Sequence, residues 1–280
     1  MAEIGPGFYP GMSNEDYRQA RGTNWSVLRK FKKSAKHARA AQLKPQPPTK
    51  EMVLGQAFHA LVLEPERFAK EFVKVPEDAP RRQGKANMEW WERFDKENGG
   101  RLRISDSDWT EIHCWRTGLY DNPRAAELLN DPKAYRECAI VWDDPETGIR
   151  CKGRLDLVAR WQGISVVADV KTTQDATPFS FGKDLDYFDY AGQIMFYLDG
   201  LNTIRPLGGG ERVPYFLAVE KQEPFDAVVY ELGQASREQA RINARTYLTR
   251  YAEAQKHGAW PGLQDGVIEL PAYAFKYEYE

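Results

Sequence analysis

The sequence is short of cysteine, of net charge and of long apolar runs. Only Cys114, Cys138 and Cys151 occur in 280 residues. An odd number without close spacing cannot form a zinc or four-cysteine iron–sulfur site, and it suits reduced thiols in a cytoplasmic protein. No apolar stretch approaches the ~18 residues that span a bilayer, and the segment from Met1 to Met12 lacks the basic and apolar regions of a signal peptide. Membrane insertion and secretion are disfavoured, so a cytoplasmic location is expected. A glycine-rich phosphate loop with its Lys-Ser/Thr is also missing, which removes ATP-driven work from the expected activities. There is no internal repeat.

What is present is a globular composition, 42% hydrophobic and 29% charged, with a formal charge of −2. That balance conceals an asymmetry. Residues 18–50 hold ten Lys/Arg and no acid, leaving 29 basic against 41 acidic residues elsewhere. A basic segment on an acidic body suits a protein that handles a polyanion, although a solvated helix face has the same composition.

Asn24 with Trp25, Leu28 and Phe31 at helical spacing predicts a first helix over about 25–42, ended by the proline-rich 44–50 linker. Residues 52–63 predict a second, largely buried helix. The polar stretch 76–87, with Arg81, Arg82 and Lys85, reads as a mobile loop. Helical patterns follow at about 86–97, 106–119 and 123–130. The period then changes: 138–142, 149–158 and 164–170 predict three strands, joined by good turn sequences and therefore paired as an antiparallel meander. A helix at 189–201, strands at 213–220 and 225–231, and a long helix at 234–257 complete the pattern.

The chemistry lies in the meander. Asp156, in Gly153-Arg-Leu-Asp, and Asp169, in Asp-Val-Lys171, sit on successive strands that a short turn brings side by side. Asp169 and Lys171, two apart, point the same way. Two carboxylates then converge with an ammonium, a set suited to Mg²⁺, with the lysine orienting or deprotonating a water or stabilising charge on phosphorus. An isolated Asp-x-Lys is usually a surface pair. Here the flanking Ile-Ser-Val-Val-Ala predicts a buried strand, where an idle carboxylate would be costly.

Five ordered segments carry a resemblance: Gly5-Pro-Gly-Phe-Tyr with Asn14-Glu-Asp-Tyr17, Leu54-Gly-Gln-Ala-Phe-His59, Leu63-Glu-Pro-Glu66, Trp142-Asp-Asp-Pro-Glu-Thr-Gly148 and Asp169-Val-Lys-Thr-Thr173. In these the sequence resembles the RecB-like branch of the PD-(D/E)xK nuclease superfamily, and within it the RecE-type phage exonuclease domains. The resemblance implies an α/β, restriction-endonuclease-like core, a central mixed sheet flanked by helices with extra N-terminal helices. It implies one domain over residues 1–280, mainly helical to 130, with the catalytic sheet and C-terminal helix from 131. Asp156 and Asp169 match the metal-binding acids and Lys171 the catalytic lysine, while His59 matches a further metal ligand. Glu137 matches an acidic motif position, although its place just before the first strand also suits an exposed glutamate. Gln193 and Tyr197 match a Gln-x-x-x-Tyr motif that contacts DNA or supports Lys171. Three scattered cysteines cannot supply the iron–sulfur cluster carried by some RecB-like nucleases.

The implied activity is a Mg²⁺-dependent exonuclease, Mn²⁺ substituting, that digests linear double-stranded DNA 5′ to 3′. It leaves 3′ tails for a phage single-strand annealing protein. A comparable region of related exonucleases engages the 5′ phosphate, so Ser26 and Arg29 are expected to do so here. A homo-oligomeric ring of three or four copies is also implied. Trp90, Trp91, Trp109, Trp115 and the aromatic tail 273–279 are its candidate interfaces, with core packing expected for at least half of them. A metal-dependent endonuclease of the same superfamily and a non-catalytic DNA-binding protein are the alternatives.

Overall fold

The computed structural model describes residues 4–44, 47–208, 210–263 and 267. Its centre is a six-stranded sheet in the order β1-β4-β5-β6-β7-β8. The strands are β1 (Gly7–Tyr9), β4 (Tyr135–Asp143), β5 (Arg150–Trp161), β6 (Ile164–Thr173), β7 (Arg212–Glu220) and β8 (Ala227–Glu231). All neighbours are antiparallel except β6 and β7. That parallel pair requires a crossover, supplied by α9 (Pro178–Phe188) and α10 (Tyr190–Ile204). A separate parallel pair joins β2 (Phe72–Lys74) to β3 (Leu102–Ile104).

Helices cover both faces, with separate cores. On one face, α2 (Trp25–Leu28), α3 (Ala35–Leu43), α10 and α11 (Gln234–His257) bury Leu28, Phe31, Trp142 and Phe216. On the other, α4 (Lys50–Leu63), α5 (Pro65–Glu71), α7 (Asp106–Asp121) and α8 (Pro123–Asn130) bury Phe58, Ile112, Trp115 and Leu217. The short α1 (Asn14–Gln19) follows β1, and α6 (Lys85–Glu97) packs its own Trp90, Trp91 and Phe94 rings together. No helix among the described residues is long and apolar enough to cross a membrane.

The meander is as expected, and two turns hold its register. Gln162 and Gly163, both at positive φ (47° and 83°), close the β5–β6 hairpin as a two-residue loop whose twist matches the strands. In the β4–β5 turn, Asp144 accepts from the Thr147 amide and hydroxyl at 2.9 and 2.7 Å, and Arg245 of α11 grips both its carboxylate oxygens at 2.8 Å.

The expected continuous helix over 25–42 is instead broken. Asn24 caps α2, as its residue type predicts, a 3₁₀ turn spans Arg29–Lys32, and α3 restarts after Ser34, whose hydroxyl accepts from the His37 amide at 3.3 Å. Four cations within five residues and a serine that bonds its own backbone both work against an uninterrupted helix. Periodicity alone also gives no sign of α1, α5, α9 and the short strands β1, β2 and β3. In α5 and α9 the legible signal is a proline at the first turn.

Gly153 shows how closely α10 is laid on β5. A Cβ there would lie 2.6 Å from the ring of Tyr197. Gly153→Ala is therefore expected to cost about 1–3 kcal/mol by overpacking. Denaturant unfolding should show that cost largely relieved in the Gly153→Ala/Tyr197→Ala double variant; additive losses would mean the two positions do not meet.

Candidate active site

Strand register brings three carboxylates into one transverse row. Ladder pairs Arg136↔Leu157 and Cys138↔Leu155 place Glu137 opposite Asp156, and Leu157↔Ala168 places Asp156 opposite Asp169. Side-chain alternation breaks in this row: Leu155 packs into one core and Leu157, two residues on, into the other. Glu137 itself has φ 48°, a left-handed backbone that is strained for a residue with a side chain. It lies inside β4 and is buried, so its expected place before the strand is corrected.

His59 reaches the row from α4. Its Nδ1 lies 3.5 Å from Asp156 Oδ2 and 3.9 Å from Glu137 Oε1. Donor atoms of His59, Glu137 and Asp156 all fall within 4.8 Å of one another. An imidazole nitrogen with carboxylate oxygens at such separations fits a divalent metal cation. The expected metal set was His59, Asp156 and Asp169, with Glu137 beside it. The structure gathers Glu137 with His59 and Asp156, whereas Asp169 is ion-paired with Lys171.

Each charge has a partner. Asp156 Oδ2 accepts from the Val170 amide at 2.8 Å. Arg154 pairs with Glu137 Oε2 at 2.9 Å and also donates to Asn14 Oδ1 and the Met12 carbonyl. The Lys171 ammonium lies 4.5 Å from the ring centre of Tyr190. Gln193 donates to the Tyr197 hydroxyl at 3.1 Å; Tyr197 is buried, on the supporting side of the site. Arg154, Tyr17, whose ring centre lies 5.6 Å from the Arg154 guanidinium, and Tyr190 are site residues that the sequence reading does not mark. Arg154 stood inside the Gly153-Arg-Leu-Asp motif and Tyr17 inside the Asn14–Tyr17 segment, whereas nothing local marked Tyr190.

A family sequence profile described as a PDDEXK-like domain of unknown function (DUF3799) matches residues 24–268. This chain belongs to that PDDEXK-like family. A proposed exonuclease from Eubacterium rectale aligns over 93% of this chain and 95% of its own, at a TM-score of 0.56 and 11% identity, a likeness of fold. A second solved structure, SSO0001, covers 71% of this chain and 85% of its own at 15% identity, but its TM-score of 0.30 bears no weight. No curated protein matches the chain.

The PDDEXK-like row stores protons. Burial, then the Asp156 charge, pushes Glu137 up to about 7 against the pull of His59 and Arg154. Burial likewise pushes Asp169 up to about 6, although Lys171 opposes it. For Asp156, burial is outweighed by His59, Lys171 and the Val170 amide, and its pKa is lowered. Burial resists charge on His59 and Lys171, yet the carboxylates win and raise both. The remaining expected residues stand apart. Ser26 is exposed on α2, and Arg29 Nη1 donates to the Phe188 carbonyl at 3.1 Å. His37 and His113 bond locally, to Ser34 and to the Trp109 carbonyl. Burial pushes the Cys138 thiol up to about 12, leaving it inert.

A pH dependence follows for the metal-free protein. Glu137 and Asp169 hold protons near pH 7 and 6 that an unfolded chain releases near 4.5 and 3.8. The folded state thus binds more protons across that window, so stability falls as pH rises through it, by about 1.4 kcal/mol for each pH unit separating a group's folded and unfolded values. Thermal melts in chelator should show the melting temperature falling from pH 5 to 7.5, and flattening in Glu137→Gln. Saturating Mn²⁺, which takes the deprotonated ligands, should oppose the fall. A melting temperature that rises with pH in chelator contradicts the reading.

Proposed function

We propose that the protein is a Mg²⁺-dependent exonuclease, Mn²⁺ substituting, that digests linear double-stranded DNA from its ends. Digestion runs 5′ to 3′ and leaves 3′ single-stranded tails for a phage-type annealing protein. One observation carries the reading: His59, Glu137 and Asp156 converge within 4.8 Å beside the Asp169–Lys171 ion pair. A non-catalytic DNA-binding protein has no use for so many buried ionisable groups in one row.

A divalent ion bound there would supply Lewis-acid polarisation of the scissile phosphate and a lowered pKa for an attacking water. His59, Glu137 and Asp156 would hold it, with Asp169 next to them. The chain's own residues do the rest. The Val170 amide and His59 fix the Asp156 carboxylate, and Arg154 fixes Glu137. Lys171, with its pKa raised, remains an ammonium. As an ammonium it donates hydrogen bonds, orienting the water or stabilising charge that develops on the phosphoryl oxygens. Gln193 and Tyr197 brace the sheet beneath.

End-directed digestion comes from the RecE-type resemblance and accords with the name of the Eubacterium rectale protein as an exonuclease; strand polarity comes from the resemblance alone. In the same reading the protein acts in the cytoplasm as a ring of three or four copies. Trp91 and Trp115 are buried within the chain and leave Trp90 and Trp109, both partly exposed, as interface candidates; the tail 273–279 lies outside the described residues.

Labelled DNA tests the proposal. With Mg²⁺ or Mn²⁺, a linear duplex should lose its 5′ label first while closed circular duplex survives. Cutting of the circle would favour the endonuclease alternative, and no cutting of either would remove the nuclease reading. Asp169→Ala and Lys171→Ala should each lower the rate by several powers of ten with the fold retained. If Ser26 and Arg29 engage the terminal phosphate, 5′-phosphorylated ends should be digested faster than 5′-hydroxyl ends, and Arg29→Ala should erase the difference.

A further inference from the structure

The corner between α9 and α10 turns large aromatic rings to solvent. Tyr187 and Phe188 are 76% and 37% exposed. Isolated exposed rings need no explanation, but these belong to a connected set. Tyr187 stands edge-on to Phe188 at 4.9 Å, and Phe188 stacks on Tyr190 at 5.2 Å with an interplanar angle of 19°. Tyr190 in turn faces the Lys171 ammonium. An unbroken line of rings thus leads from open solvent to the centre of the candidate active site.

The corner is built to hold that line. Asp189, which ends α9 and precedes α10, adopts the left-handed backbone (φ 57°, ψ 44°) common where a helix ends. Three donors from the basic segment fix it. Trp25 Nε1 donates to the Asp189 carbonyl at 3.1 Å, Arg29 to the Phe188 carbonyl at 3.1 Å and Lys32 to the Asp186 carbonyl at 2.8 Å. Gly192 lets Trp25 in, because a Cβ there would sit 2.4 Å from the indole and 2.6 Å from Asp189 Oδ1. A corner held by this many contacts presents its exposed rings as a preorganised surface.

The surrounding charge selects the occupant. Arg29 and Lys32 touch this corner, and Lys30 and Lys33 sit beside them in and just after the same 3₁₀ turn, close enough that Lys30 has its pKa lowered by burial and by Arg29 and Lys33. Asp186 pairs with Lys32, and the Asp189 carboxylate also lies in the field of Lys32 and Arg29, leaving Lys30 and Lys33 to carry the excess positive charge. Cations beside flat exposed rings suit a ligand that carries both phosphates and accessible π-faces. An intact duplex hides its base faces in the stack, whereas an unpaired strand offers them.

The geometry points to a stacking platform at this corner: Tyr187 and Phe188 receive one or two unpaired bases of a single DNA strand, whose phosphates lie along Arg29, Lys30 and Lys33. This rests on the nuclease reading and deepens it, because it makes the strand that approaches Lys171 a locally melted one. Tyr187 and Phe188 are specificity residues here and take no part in bond cleavage.

The test separates binding from cleavage. A short oligothymidylate carrying one 2-aminopurine is titrated with protein in chelator, so that nothing is cut, and quenching reports stacking. Tyr187→Leu and Phe188→Leu should each weaken binding by roughly five- to a hundredfold and reduce quenching. Tyr187→Phe and Phe188→Trp, which keep a ring, should bind as wild type does. Leucine variants that bind and quench normally overturn the platform, as does a change confined to their oligomeric state in light scattering. Wild-type digestion of labelled linear duplex with Mn²⁺ is measured alongside. Digestion with unchanged binding by the leucine variants removes the platform alone; stacking without any digestion upholds the platform and removes the nuclease reading.

Discussion

Three acids in one row of a buried sheet are the constraint to which the rest of this structure answers. Glu137, Asp156 and Asp169 would repel one another and forfeit their hydration if left unaccompanied. The neighbourhood is arranged around that cost. His59 arrives from α4, Arg154 from the row's own strand and Lys171 from two residues past Asp169, while the Val170 amide turns inward to Asp156. Even so, Glu137 and Asp169 remain proton-hungry, the state expected of a site completed by a cation from solution.

The same row explains why the sheet needs two cores of different origin. Helices α4, α7 and α8 cover one face, and α4 is thereby positioned to deliver His59. On the other face α10 lays Tyr197 against Gly153 of β5 and Tyr190 against Lys171 of β6, with Gln193 bonded to Tyr197. Arg154 links the row to the chain's beginning, through Asn14 and the Met12 carbonyl. Lys152, two residues before Arg154 and on the same side of β5, donates to the Tyr17, Arg18 and Ala20 carbonyls and so fastens the end of α1. Helix, sheet and N-terminal segment are thus coupled through side chains of a single strand.

Much of this is legible in the amino-acid sequence. The meander showed in its period of two and its turn residues, and the positions of Asp156, Asp169 and Lys171 followed from it. Long helices such as α7 and α11 were visible because their apolar spacing persists over many turns. The break between α2 and α3 was hidden, since apolar spacing continues through Arg29–Lys32 while charge density and Ser34 interrupt the hydrogen-bond ladder. The placement of Glu137 was hidden for another reason. Its burial depends on a left-handed backbone that no local signal announces, and its partner Arg154 is 17 residues away. Tyr190 became visible only through tertiary packing, as the crossover helix laid its ring against Lys171.

The two-residue loop at Gln162 and Gly163 carries more than its size suggests. Asp156 and Asp169 stand equally far from it along their strands, so the loop's length alone decides that these carboxylates face one another. Surface loops ordinarily absorb insertions and deletions freely. In this hairpin, one added or lost residue would slide β6 along β5 and carry Asp169 and Lys171 out of the row together. The loop contributes no chemistry, yet it behaves as a spacer under the same restriction as the residues that do, and any tolerance for changes of length belongs elsewhere on the surface.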